Sequence, residues 1–232
     1  MGEDPGALTP EELVRRAHRL AAGGRRGLLG IVGPPGAGKS TFAQALAHRL
    51  RDRPPAGSGR DWVAQVPMDG YHLADAELAR LGLLERKGAP DTFDAAGYAA
   101  LLDRLAEDGD DVVYAPAFDR ELEQPVSGSI AITPDARLVI TEGNYLLVED
   151  GAWANVREHL NEVWYIELGE QERLRRLIAR HQRFGKSELA AREWAHRIDQ
   201  RNADVVAGTS ARADLRVASD VLAHTDPPDG IP

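Results

Sequence analysis

The residues Gly33-Pro34-Pro35-Gly36-Ala37-Gly38-Lys39-Ser40 decide how the chain folds. They meet every fixed position of the phosphate-binding pattern G-x-x-x-x-G-K-[ST]. The flanks fit the same reading. Residues 27–32 (Gly-Leu-Leu-Gly-Ile-Val) form a short apolar run of buried-strand type. Residues 41–50 follow with helical spacing that puts Phe42, Ala45, Leu46 and Leu50 on one face. A strand, a glycine turn and a helix start are what phosphate binding requires. The glycines let backbone N–H groups close around phosphate oxygens, and the helix N-terminus adds partial positive charge. Gly33, Pro34, Pro35, Gly36, Ala37 and Gly38 are therefore expected to cradle a nucleotide, together with Lys39, Ser40 and Thr41. Lys39 can reach the β/γ-phosphates, and the Ser40 hydroxyl can coordinate Mg²⁺.

The rest of the chain reads as alternating strands and helices. A capping box at Thr9-Pro10-Glu11-Glu12 starts a helix that stops at Gly23-Gly24. Further strands are expected at residues 62–68, 111–114, 137–141, 162–168 and 215–217, with an edge strand at 130–133. Helices are expected at 74–84, at 95–107 behind the Asp94 cap, at 153–160, at 170–184 and at 188–207. This alternation implies right-handed crossovers and a mostly parallel central sheet covered on both faces. The expected class is α/β, a three-layer α/β/α P-loop NTPase fold. The expected division is an N-terminal helix at 1–26, a P-loop domain at 27–222 with a lid at about 170–187, and a disordered tail at 223–232.

Composition narrows the function. The chain has 232 residues, a formal net charge of -9 and no cysteine. A general basic field for nucleic acid is absent, and disulfides and thiolate chemistry are excluded. No apolar run is long enough to span a bilayer, and the acidic N-terminus does not read as a signal peptide, so the expected location is cytoplasmic, away from any membrane. The sequence leaves a homodimer open.

Ligands of such sheets sit outside the carboxyl ends of the strands. Asp69, after the second strand, is expected there as general base for an attacking hydroxyl, against its use as a turn carboxylate before Gly70. Glu142 either holds Mg²⁺ through water, binds the acceptor, or caps the turn before Gly143. The helix at 170–184 carries Arg173, Arg175, Arg176, Arg180 and Arg183. It reads either as a solvated face or as a lid. Arg176 and Arg180, four apart on one face, would then stabilise the transferring phosphoryl group.

With these segments in hand, the chain resembles the P-loop kinases that include phosphoribulokinase, uridine kinase and bacterial type I pantothenate kinase. The likeness runs from about Gly27 to Val217. Besides the phosphate loop it rests on Met68-Asp69-Gly70-Tyr71-His72-Leu73, residues 86–94 (RKGAPDTFD), residues 114–120 (YAPAFDR), residues 141–147 (TEGNYLL) and residues 173–180 (RLRRLIAR). It looks nearest to the bacterial branch called nucleoside/nucleotide kinase-like or fructose-transport-system kinase. The resemblance implies ATP and Mg²⁺, with Asp69 as base and the arginine helix as lid. It implies an acceptor pocket lined by Arg86, Lys87, Tyr114, Asp119, Arg120 and Asn144. Tyr71 and His72 either touch the acceptor or pack the wall. Asn202 is expected either at the adenine or as a helix cap. Pantothenate and uridine kinases read differently after the Asp69 strand and around residues 114–120, so neither acceptor is carried over. The implied reaction is transfer of the γ-phosphoryl group to a hydroxyl of a nucleoside, sugar or pantothenate-like alcohol. If Arg86 and Lys87 face the pocket, an anionic acceptor is favoured; if they face solvent, a neutral one is. The rival readings are a nucleotide-dependent switch or chaperone without an acceptor, and a nucleic-acid kinase that the acidic balance disfavours.

Overall fold

The computed structural model describes residues 8–222. The expectation for the tail at 223–232 lies outside the described residues, as do residues 1–7 of the N-terminal helix segment expected at 1–26. Five parallel strands form the main sheet in the order β2-β5-β1-β6-β7. They are β1 (Gly27–Val32), β2 (Val63–Pro67), β5 (Leu138–Gly143), β6 (Glu162–Glu167) and β7 (Leu215–Ala218). The other two strands, β3 (Val113–Asp119) and β4 (Gln124–Ile132), pair antiparallel as a separate hairpin.

Strand β1 shows why the sheet is buried on both faces. Leu28 and Val32 belong to one core cluster with Tyr98, Leu102 and Tyr145; Leu29 and Ile31 belong to the other with Phe42, Leu46 and Trp164. Alternation along a strand sends neighbouring side chains to opposite faces. On one side lie α1 (Pro10–Ala21) and α2 (Lys39–Arg51), whose Leu13, Val14, Phe42 and Leu46 are buried. The other side is covered by α4 (Ala95–Glu107) and the segment around Tyr145, Trp153 and Leu160. The Thr9 capping box forms as expected: Thr9 Oγ1 accepts from the Glu12 N–H, and the Glu12 carboxylate accepts from the Thr9 N–H. Asp94 caps α4 by accepting from the Gly97 N–H at 2.8 Å.

Register fixes the site. Glu142 in β5 pairs with Ile31 of β1 on one side and with Pro67 of β2 on the other. The carboxyl ends of β2, β5 and β1 thus lie side by side. They deliver Asp69, Glu142 and the phosphate loop to the carboxyl edge of the sheet, where open α/β sheets bind their ligands.

Five expectations need correction. The strand expected at 111–114 runs on to Asp119, and the edge strand expected at 130–133 starts at Gln124. Their hairpin stands off the main sheet instead of extending it. It lies on the turn Met68–Tyr71, where a Cβ on Gly70 would come within 2.3 Å of the Pro116 carbonyl oxygen. Only glycine permits that approach. The helix expected at 153–160 is a pair of 3₁₀ turns, Gly151–Asn155 and Arg157–His159. The helix expected at 74–84 is shorter, α3 (Asp75–Leu81). Finally, the last long helix has three parts. After the arginine helix α5 (Glu170–Arg183), α6 (Glu188–Trp194) passes through a π turn, Ala195–Asp199, into α7 (Gln200–Gly208).

Among the described residues, no helix is long and apolar enough to cross a membrane.

Candidate active site

The phosphate loop leaves β1 and turns into α2 at Gly38, which takes a left-handed φ of 91°. The first N–H groups of α2 have no intrahelical partner and mark an anion site. Gly36, at φ 82°, packs under the lid helix: a Cβ there would meet Leu177 Cγ at 2.7 Å and the Arg173 carbonyl oxygen at 3.0 Å. Arg173 is buried and donates to the Pro35 carbonyl at 3.4 Å and to the Gln200 side chain. That arginine fastens α5 to the phosphate loop and lies off the cleft lining.

Lys39 is 8% exposed. Its ammonium donates to the Pro34 carbonyl at 3.2 Å and to Asn144 Oδ1 at 2.6 Å. Burial pulls its pKa down from 10.5 to about 8, with Glu142 and Asp69 opposing that shift. Ser40 Oγ donates to Glu142 Oε1 at 2.8 Å. Burial and the neighbouring Asp69 push the Glu142 carboxyl above its ordinary value, against Lys39 and the Ser40 hydrogen bond. The Ser40 hydroxyl and the Glu142 carboxylate are the hard oxygen donors that Mg²⁺ prefers. Among the described residues, no group of three His, Cys, Asp or Glu could hold a metal by itself.

Asp69 lies in the turn after β2 and its Oδ2 accepts from Arg120 Nη2 at 3.0 Å. His72 Nδ1 lies 2.8 Å from the Asp69 carbonyl oxygen. A carbonyl can only accept, so Nδ1 carries the proton. Burial lowers the His72 pKa, so the ring is neutral and Nε2 is left as an acceptor. Phe93 and Phe118 pack the ring at centroid distances of 4.0 and 4.8 Å.

These groups share one cleft of about 470 Å³, a size ordinary for a small-molecule site. Pro35, Gly36, Lys39, Ser40, Glu142 and Asn144 line one end; Asp69, His72, Lys87, Gly88, Phe93, Phe118 and Arg120 carry the cleft onward. Arg180 closes it from the lid. Gly33, Pro34, Ala37, Gly38 and Thr41 belong to the loop and helix start but not to the cleft lining.

Several expected residues stand elsewhere. Arg86 pairs with Asp91 at 3.1 Å and is exposed. Tyr114 points outward from the hairpin, 60% exposed. Asp119 is used within the hairpin turn, its Oδ1 accepting from the N–H groups of Glu121 and Leu122 at 2.8 and 2.9 Å. Tyr71 turns to Tyr98, with ring centroids 5.2 Å apart, outside the cleft. Arg176 is held by Glu172 at 2.8 Å, and its Nη1 lies 3.4 Å from where a Cβ on Gly38 would sit. It is beside the loop, off the cleft lining. Asn202 lines the cleft, but its Nδ2 donates to the Gly88 carbonyl at 3.2 Å. The Tyr145 hydroxyl donates to the same carbonyl at 2.5 Å. Asn202 therefore pins the wall near Gly88 through Nδ2, within α7 and not as a helix cap.

The cleft also contains residues that sequence reasoning passed over. His181 at the end of α5 bonds Asp199 at 2.7 Å, and Lys186 sits 4.4 Å over the Trp194 ring. Asp199 closes the π turn, whose extra residue per turn defeats a 3.6-residue reading. Phe118 lies inside the quoted segment 114–120 and was within reach of the sequence.

No family model matches the chain. It is 36% identical over 155 residues to a candidate uridine kinase from Schizosaccharomyces pombe, a match spanning 65% of this chain and 64% of that protein. It is 32% identical over 193 residues to YggC of Escherichia coli, covering 83% of this chain and 78% of that one. In structure it is similar to a candidate fructose transport system kinase from Silicibacter sp. TM1040, with a TM-score of 0.81, 32% identity, and coverage of 90% of this chain and 99% of the other. The parallel sheet, the phosphate loop and these likenesses converge: the chain belongs to the family of P-loop ATP-dependent kinases that includes the candidate fructose transport system kinase of Silicibacter.

Proposed function

We propose that the chain transfers the γ-phosphoryl group of MgATP to a hydroxyl of a small, polar, uncharged metabolite of nucleoside or sugar type, in preference to an anionic, pantothenate-like alcohol. One observation carries this reading: the Asp69 carboxylate opens into the same cleft as Lys39, Ser40 and Glu142, and the cleft continues past the phosphate cradle to a wall of Gly88, Phe93 and Phe118. The loop N–H groups and Lys39 bind the phosphates, and Arg180 meets charge from the lid side. Ser40 and Glu142 would hold Mg²⁺, which when bound would supply charge neutralisation for the phosphates. The acceptor oxygen bonds to the γ-phosphorus, the bond to the bridging oxygen of ADP breaks, and the hydroxyl proton passes to Asp69.

The charge pattern supports a neutral acceptor. Arg86 is turned away to Asp91. Lys87 lines the cleft but donates to Asp75 at 2.7 Å and to the Glu123 carbonyl at 2.7 Å. Neither is a spare cation for a second phosphate. Relatives named for uridine and fructose agree with a nucleoside or sugar.

The test is ADP release from MgATP over a panel of such alcohols, with Asp69→Asn beside the native chain. At least one compound should stimulate turnover, and Asp69→Asn should lower that turnover by about 10²- to 10⁴-fold. Stimulated turnover that survives the substitution overturns the base. Turnover that no alcohol changes favours a nucleotide-dependent switch instead.

A further inference from the structure

A base placed beside a reactive phosphoryl group faces a competitor that is always present, since water carries the same hydroxyl chemistry as the acceptor. The Asp69 carboxylate is already engaged: Arg120 Nη2 holds Oδ2 at 3.0 Å. Arg120 is presented by a built turn. It follows the last residue of β3, Asp119 ties the turn by accepting from the Glu121 and Leu122 N–H groups, and the Glu123 carbonyl is held by Lys87. The hairpin is brought over Asp69 by the close seat of Pro116 on Gly70. While paired with Asp69, the guanidinium also lies 5.6 Å from the centre of the Phe118 ring, which supports it from the cleft wall. The two side chains are 47% and 30% exposed, so the pair opens at small cost.

We propose that Arg120 is a specificity-determining residue that selects the hydroxyl acceptor against water, by occupying Asp69 until the acceptor displaces it. A metabolite that fills the cleft has binding energy from its remaining atoms to insert its hydroxyl between Nη2 and Oδ2. A single water has none, so the resting enzyme spares its ATP. The suppressed side reaction is hydrolysis: a water oxygen bonds to the γ-phosphorus, the bond to the ADP oxygen breaks, and one water proton goes to the Asp69 carboxylate.

The proposal rests on Asp69 as base, and its test needs no identified acceptor. MgATP alone is the probe, and phosphate release in the absence of any alcohol is the readout. Arg120→Ala should raise that release about five-fold, the scale set by losing one partly exposed ion pair. Arg120→Lys, which keeps the charge, should return it to within about two-fold of the native rate. The double variant Arg120→Ala/Asp69→Asn should fall to the level of Asp69→Asn alone. Calorimetric ADP affinity should stay within about three-fold in Arg120→Ala, because the guanidinium is placed on Asp69 and not on the loop. An unchanged or lower rate in Arg120→Ala overturns the proposal, as does a ten-fold loss of ADP affinity. A rise that persists in the double variant instead overturns Asp69 as the base, so the two failures are told apart.

Discussion

The two ends of the cleft are built in different ways. The phosphate end is made of backbone and buried side chains: a loop with left-handed Gly36 and Gly38, a lysine 8% exposed, and a buried arginine that fastens the lid to Pro35. The proposed acceptor end is made of side chains on a hairpin and on the loops after β2, joined by partly exposed pairs such as Arg120–Asp69 and Lys87–Asp75. The difference follows from the ligands. A triphosphate is the same in every kinase, so a fixed cradle of N–H groups costs nothing in versatility. An acceptor differs from one kinase to the next, and surface segments change without disturbing the core.

The strongest way to break this contrast is at the phosphate end. Lys39→Ala should reduce kcat/KM for MgATP by about 10³-fold, the upper range for one preorganised donor at a transferring phosphoryl. The fold should survive, since Lys39 is the first residue of α2 and its partners, the Pro34 carbonyl and Asn144, stay next to the cleft. Steady-state kinetics with circular dichroism separates the two effects. A loss of less than ten-fold would mean that the backbone cradle carries the phosphates alone.

The same lysine gives the phosphate end a pH dependence. Burial brings its pKa to about 8, so the empty enzyme loses this charge as pH rises through 8. Bound phosphates favour the charged form, so nucleotide binding takes up a proton above pH 8. Affinity should fall by up to about ten-fold per pH unit from there toward the unperturbed value near 10.5. The effect on folding has the opposite sign. Between 8 and 10.5 the unfolded chain holds the proton that the native chain has released, so the Lys39 contribution to stability rises with pH. Titration calorimetry in two buffers of different ionisation enthalpy, at pH 7 and pH 9, measures the uptake directly. Equal proton uptake at both values would show that the lysine is charged before the nucleotide arrives.

The contrast also explains what was legible in the sequence. The cradle is one contiguous stretch, and each of its residue types is demanded by backbone geometry, so Gly33 to Ser40 could be read directly. Asp69 and Glu142 were legible because strand ends in a parallel sheet converge on one edge, and the β2-β5-β1 register brings them there. The acceptor wall was not. Whether Tyr114 or its neighbour faces in depends on where the hairpin starts and on the register shift between Ala115 and Ala117, and an alternation count carries neither. Arg86 and Lys87 are adjacent, yet the 3₁₀ turn Leu84–Arg86 ends between them and sends them to different partners. His181 and Asp199 meet only because a π turn follows α6.

Arg86 and Lys87 therefore supply the finest test of how the acceptor end works. Arg86 is outside the cleft in an exposed pair with Asp91, the kind of contact that contributes little to stability or binding. Arg86→Ala should leave acceptor KM within about two-fold. Lys87 has a side chain 19% exposed, lies 5.5 Å from the Phe118 ring centre, and bridges Asp75 to the hairpin carbonyl of Glu123. Removing it frees the hairpin from the segment after β2 and leaves Asp75 without its cation. Lys87→Ala should raise acceptor KM by about five- to ten-fold, the loss of a charge-assisted hydrogen bond that shapes the wall, with kcat at saturating acceptor lowered less than KM is raised. Kinetics of both variants with the same acceptor give the comparison. If Arg86→Ala has the larger effect, the acceptor reaches beyond the wall and an anionic substrate held by Arg86 becomes the better reading. If Lys87→Ala lowers kcat and kcat/KM equally, the lysine contacts the transferring group itself, and the cleft is not divided into a phosphate end and an acceptor end along the line drawn by Asp69.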